Sequence, residues 1–401
     1  MLERRTPVAT RRLIMLGPAF VVATAFIDPG NVATNVVAGS EYGYLLVWVV
    51  VTACVVGAFV QYLAAKLGFA TGRSLAAACR ERYPRPVSYA LWVIAELIII
   101  MTDVAEFVGG ALALYMLFGV PLIAGTVIIA LSTIIVIALR VRGRHIFPAF
   151  AIALLFAVAA SIGVLLFRVG LDWGGAARGL VPGFADGGSV LLAAGIVGAT
   201  VMPHALFLHS TLAKPRAAGD EARSFIATTV RGVRRDVVAA MAVAGLVNVA
   251  ILLVAVQIPA ASGTTLPGAQ DFLSAQHGSV FGVVFGTALL ASALASACTG
   301  VYSGQTVMAD FLGVRVNVWL RRVLTVLPSL VIVMLVSNPT QALVLSQVGL
   351  SVLLPFALIP LVHLTSDGAL MGQLRNRLAT TVLAGVVATL IIALNVVLLV
   401  V

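Results

Sequence analysis

Long runs of apolar residues alternate with short polar segments along the whole chain. A helix needs about 20 mostly apolar residues to cross a bilayer's hydrocarbon core. Runs of that kind lie near 13–35, 43–67, 87–115, 119–139, 146–167, 189–212, 236–258, 278–309, 322–337, 340–364 and 378–400. The pattern predicts an all-α integral membrane protein with eleven transmembrane helices. The first run leads into Asp28-Pro29-Gly30-Asn31 rather than a small-residue cleavage site, so it reads as a first membrane segment and not as a signal peptide.

The polar segments alternate in charge. One set carries Arg4, Arg5, Arg11 and Arg12; then Lys66, Arg73, Arg80, Arg82 and Arg85; then Arg140, Arg142 and Arg144. It continues with Lys214, Arg216, Arg223, Arg231, Arg234 and Arg235, then Arg315, Arg321 and Arg322, then Arg375 and Arg377. Of the 25 Lys and Arg, only Arg168 and Arg178 fall in the opposite set. Basic loops stay in the cytoplasm. This predicts a multi-pass cell-membrane protein with a cytoplasmic tail at 1–12, a cytoplasmic N-terminus and, with an odd number of spans, a C-terminus outside.

Composition agrees with lipid as the solvent. The chain is 61% hydrophobic and 10% charged, with a mean hydropathy of +1.12; a soluble domain carries about 25% charged residues. The net charge of +10 does not imply nucleic acid, because the basic residues sit in short clusters beside membrane segments rather than on one folded patch. Cys54, Cys79 and Cys298 form no CxxC pair and imply neither disulfide framework nor zinc site. No GxxxxGK[ST] loop is present, so no nucleotide is expected, and no cofactor is implied.

Two of the predicted helices are interrupted. The first breaks at Asp28-Pro29-Gly30-Asn31 and the sixth at Met202-Pro203-His204, shortly after Gly198. Proline removes a backbone donor and glycine loosens the helix beside it. A carboxylate at mid-membrane is costly unless it faces a polar cavity or a partner. A single proline in a membrane helix commonly makes only a kink. Here the two breaks occupy corresponding positions if spans 1–5 (13–168) and 6–10 (189–364) are two halves, with 378–401 an added helix. Five spans per half would invert the second half. Paired broken helices in an inverted repeat mark the central site of a transporter. Asp28 offers a hard anionic oxygen, Asn31 a neutral carbonyl oxygen and Met202 a soft thioether; such a mixed set suits Mn, Fe, Co or Cd over Ca.

These residues resemble the paired signatures of the Nramp metal-ion transporters. The surroundings agree: Ala25-Phe26-Ile27 before the first break with Val32-Ala33-Thr34-Asn35 after it, Gly198-Ala199-Thr200-Val201 before the second, and His209-Ser210 beyond. Thr102-Asp103-Val104-Ala105-Glu106-Phe107 in the third span and Ser346-Gln347-Val348 with Pro355-Phe356-Ala357 in the tenth also match. The resemblance covers nearly the whole chain. It implies a LeuT-type 5+5 inverted repeat with helices 1 and 6 broken at the midplane. It also implies proton-coupled import of divalent transition-metal ions, with Mn2+ or Fe2+ favoured by the methionine. Asp28, Asn31 and Met202 match the family's metal ligands, Ala25 and Ala199 its backbone-carbonyl donors, and Gln347 a tenth-span residue that approaches the metal. Asp28, His204, Glu106, Asp103, Glu96 and the pair Arg321 and Arg322 match a polar network that conducts protons.

The residues themselves leave that network open between a relay and static ion pairs. Glu96 and Asp103 are seven apart and Asp103 and Glu106 three apart, so all three share one helical face, and intramembrane carboxylates serve either role. His204 titrates near neutral pH when unperturbed. Two other function classes fit the residues less well. A sodium-coupled amino-acid carrier gives no reason for Asp28 and Met202 to oppose each other. A membrane enzyme needs a nucleophile–base pair or a motif such as HExxH, and neither is present.

Overall fold

The computed structural model describes residues 17–142, 146–214, 222–313 and 318–400, without the side chains of 134–142, 146–147, 222–229 and 318–326. Among these residues the regular structure is helical throughout. The first predicted span is two helices, α1 (Pro18–Ala23) and α2 (Pro29–Tyr42), joined by a 3-10 turn at Ala25–Ile27. The second to fifth are α3 (Val47–Thr71), α5 (Arg85–Phe118), α6 (Leu122–Arg142) and α7 (Ile146–Val169), with α4 (Leu75–Arg82) between the second and third. After a short α8 (Trp173–Arg178), the sixth is again two helices, α9 (Gly187–Val201) and α10 (Pro203–Leu212). Then come α11 (Ala222–Ala255), α12 (Ala260–Gly263), α13 (Leu266–His277), α14 (Ser279–Leu312) and α15 (Val318–Leu335). The tenth span is α16 (Pro339–Leu353) and α17 (Pro355–Ser366), followed by α18 (Gly368–Met371) and α19 (Leu378–Val400).

Among the described residues, each predicted apolar run lies mainly in helix. By length and composition, eight helical runs among the described residues can each cross a membrane, the first of them the continuous stretch Pro29–Thr71. Pro18–Ile27 and Leu122–Thr133 are apolar but shorter. The boundaries differ most at α11, which starts at Ala222 although its apolar run starts near 236. The basic residues from 222 to 235 are helix, because charge ends an apolar run without ending a helix. Residues 1–16, 143–145, 215–221 and 314–317 lie outside the described residues, and with them the tail at 1–12 and Arg4, Arg5, Arg11, Arg12, Arg144, Arg216 and Arg315.

α3 packs on α11 and α5 on α14. α9 packs against α16, and α19 against α9 and α17. The outer face of α19 exposes Leu378, Val382, Leu383, Val386, Leu390, Val396 and Leu399, an apolar surface too large for water and fitted to lipid. Polar side chains instead lie inside. Asp28, Asn31, Asn35, Glu106, Thr200 and Gln347 are all fully buried, and the helix breaks gather several of them.

Candidate functional site at the two helix breaks

At the first break, Pro29 has no N–H, so the carbonyl of Ala25 loses its helical partner four residues on. The chain tightens into the 3-10 turn, and the Asp28 N–H donates to the Ala25 oxygen instead, at 3.3 Å. Asp28 is extended (φ −68°, ψ 163°) and caps α2, its Oδ1 accepting from the Asn31 N–H at 2.8 Å. A carboxylate at a helix N-terminus lies at the positive end of the helix dipole. The next two carbonyls are also taken: Asn31 Nδ2 donates to Phe26 O at 2.5 Å, and Ser292 Oγ of α14 to Ile27 O. Asn35 Nδ2, one turn along α2, donates to Asn31 Oδ1 at 2.8 Å.

At the second break the backbone reverses at Met202, with φ +38° and ψ 97°. It is the only described non-glycine residue with positive φ, a conformation that costs of order 1–3 kcal/mol and persists only where surroundings enforce it. Pro203 deprives the Ala199 carbonyl of its helical donor, as Pro29 does for Ala25. The two alanines singled out by resemblance are thus the residues four before each proline. Sequence spacing alone could have pointed to both. Met202 is fully buried in the same apolar cluster as Ala25 and Ile27.

The third element is α16. Gln347 Nε2 donates to Asp28 Oδ2 at 3.4 Å and to Ser346 Oγ at 3.2 Å. The approach is close because Gly198 on α9 has no side chain: a Cβ there would overlap the Gln347 carbonyl and lie 2.6 Å from Ser351 N. Asp28, Asn31, Met202 and Gln347 are each 0% exposed. Four buried polar atoms around the breaks have no hydrogen-bond partner among the described residues: Gln347 Oε1, Asn35 Oδ1, Thr200 Oγ1 and His204 Nε2. Buried polar groups are paired in the great majority of cases; Gln61 Nε2 and both side-chain amide atoms of Asn248 likewise have no partner among the described residues. No three described His, Cys, Asp or Glu side chains converge anywhere.

The wider network is placed in part. His204 Nδ1 pairs with Thr102 Oγ1 of α5 at 3.1 Å, a residue the sequence reading quoted but gave no role. Asp103 and Glu106 are buried on α5. Glu106 lies against α14, where a Cβ on Gly300 would come within 2.5 Å of its Oε1. Glu96 is half-buried and accepts from Trp92 Nε1 at 3.3 Å. α15 packs on α5, but the side chains of Arg321 and Arg322 lie outside the described residues. His209 pairs with Gln61 of α3 at 2.9 Å.

The sequence reading missed Asp236 on α11. Its Oδ1 accepts from the Gly17 N–H at 2.9 Å and its Oδ2 from the Ala19 N–H at 3.0 Å, tying the start of α1 to the second half of the molecule. The signal was present, a carboxylate at the edge of an apolar run.

A closed polar site between two proline-broken helices, inside an otherwise apolar helical bundle, defines a membrane transporter of the inverted-repeat class. Residues 19–401 match the family described as Natural resistance-associated macrophage protein-like, and the chain belongs to that family, whose members are transporters and not enzymes. It is 42% identical over 395 residues to the divalent metal cation transporter MntH of Bacillus subtilis (strain 168), covering 97% of this chain and 92% of that one. A crystal structure of the Eremococcus coleocola manganese transporter superposes with a TM-score of 0.86 at 29% identity, over 99% of this chain and 88% of that one. A nucleobase-cation-symport-1 family transporter shares the fold alone, with a TM-score of 0.62 at 16% identity over 91% of this chain and 81% of that one.

Proposed function

We propose that this chain is a proton-coupled secondary transporter that imports divalent transition-metal ions, Mn2+ or Fe2+, by alternating access. The observation that carries the reading is the buried group of Asp28, Asn31 and Gln347 at the first break, with Gln347 Oε1 and Asn35 Oδ1 left without partners among the described residues and Met202 buried at the second break. Asp28, Asn31 and Met202 are the metal ligands, Ala25 and Ala199 supply backbone oxygens, and Gln347 turns its free Oε1 to the ion. The thioether disfavours calcium, which prefers six to eight oxygens. Protons leave through Asp28, His204, Asp103, Glu106 and Glu96 towards Arg321 and Arg322. Eleven spans, repeats at 13–168 and 189–364, and a cytoplasmic N-terminus with the C-terminus outside complete the proposal; the loop charges support that orientation in a cell membrane. The relatives' printed descriptions, divalent metal cation transporter and manganese transporter, support the cargo.

The test is Mn2+ uptake into proteoliposomes carrying a lumenal pH dye. Uptake should persist in excess Ca2+ and acidify the lumen. Met202→Ala should admit Ca2+ more readily than the wild type. Equal competition by Ca2+ in the wild type would refute the donor-set argument, and metal flux without proton movement would refute the coupling.

A further inference from the structure

We propose that Asn35 is a positioning residue that sets the orientation of the Asn31 amide, and thereby the affinity of the site for its cation. The proposal rests on the reading of Asn31 as a metal ligand.

The argument is a chain of forced hydrogen-bond assignments. A carboxamide carries a donor and an acceptor that can exchange places by a half-turn. The Phe26 carbonyl only accepts, so the Asn31 group that faces it, at 2.5 Å, is the NH2. Asn31 Oδ1 therefore faces the other way, towards Asn35 at 2.8 Å. Asn35 must answer an oxygen with its own NH2, which leaves Asn35 Oδ1 pointing elsewhere. That atom is indeed buried and without a partner among the described residues. Reversing Asn35 would set two oxygens against each other and orphan a donor instead.

Asn31 is thus held at both ends, by a backbone carbonyl of the break and by a side chain one turn along α2. Its oxygen has two lone pairs, and the bond from Asn35 uses one. The other remains for a cation, on an oxygen whose position is already set. Both asparagines are 0% exposed, so no water competes for these bonds. Groups that orient a metal ligand in this way change metal affinity by about 10–100-fold when removed. Without Asn35 the Asn31 amide keeps only its Phe26 bond and can pivot about it.

The test measures Mn2+ uptake kinetics in proteoliposomes for the wild type, Asn35→Ala, Asn35→Leu and Asn31→Ala. Asn35→Leu keeps the volume of asparagine but donates no hydrogen bond, and serves if the alanine variant fails to fold. Both Asn35 variants should raise KM for Mn2+ by about 10–100-fold while kcat changes little. An unchanged KM in the Asn35 variants, with Asn31→Ala impaired, overturns the role of Asn35 and leaves the metal site intact. A fall in kcat at unchanged KM overturns it too, by showing a purely structural part. An unchanged KM in Asn31→Ala overturns the underlying assignment of Asn31 as a ligand.

Discussion

Asp236→Ala should loosen α1. α1 is only six residues long, its N-cap Gly17 makes no side-chain bond of its own, and Pro18 supplies no N–H. Its first donors are satisfied from another helix, by the two oxygens of Asp236 at 2.9 and 3.0 Å. Gly17 is required there because a Cβ would overlap that carboxylate. Interhelical hydrogen bonds in membranes average about 0.6 kcal/mol each, with a ceiling near 1.7. Loss of a helix N-cap costs about 0.5–2 kcal/mol. Two bonds from one carboxylate at a helix N-terminus therefore come to about 1–2 kcal/mol. That is a factor of roughly 5–30 in the equilibrium for opening this segment. The assay is amide hydrogen exchange by mass spectrometry. Peptides covering 19–27 should exchange faster by that factor, while peptides of α9 do not change. Asp236→Asn keeps one acceptor and should show a smaller effect. Unchanged exchange at 19–27 in Asp236→Ala would refute the reasoning, by showing that α1 is held through its apolar packing alone.

Three further outcomes are expected. Gly198→Ala forces α9 away from α16, because the atoms in its way are backbone and cannot yield; overpacking of this kind costs about 1–3 kcal/mol, read as a lower thermal midpoint together with a raised KM for Mn2+. Asn395→Leu exposes a different weakness: Pro355 frees the Ser351 carbonyl, and Asn395 Nδ2 of α19 caps it at 2.9 Å while Asn395 Oδ1 accepts from Ser351 Oγ at 3.0 Å. Its loss should cost about 1 kcal/mol of thermal stability with metal preference unchanged. Asp186, the N-cap of α9, is held below the usual carboxylate range by the Ser189 N–H and then by the Tyr42 hydroxyl at 2.7 Å. A depressed pKa contributes stability that is full above the unfolded value, about 3.9, and is lost as pH falls through the folded one. Asp186→Asn should therefore flatten the acid limb of thermal midpoint against pH.

The helices were legible in the sequence because lipid imposes one rule on every spanning segment: an apolar run must satisfy its own backbone. The same rule made the breaks legible. A proline removes a donor wherever it stands, so Asp28-Pro29 and Met202-Pro203 announce freed carbonyls from sequence alone. The types of donor at the breaks follow from residue identity alone. Element ends were less legible. The basic residues before 236 end an apolar window but continue as helix α11, since charge and helix propensity are separate properties.

The tertiary structure decided which groups meet. No spacing rule relates Gln347 to Asp28, Ser292 to Ile27, Thr102 to His204 or Asp236 to Gly17, because each pair joins segments distant in sequence through the packing of separate helices. Packing also decided the role of Asn35. One turn beyond Asn31 on an apolar helix, it reads in sequence as an ordinary buried amide. Only the carbonyl of Phe26, turned inward by the break, fixes the direction of Asn31 and through it that of Asn35. The strained backbone of Met202 belongs to the same category: the sequence names a methionine before a proline, and the surrounding helices hold it where a methionine does not go by itself.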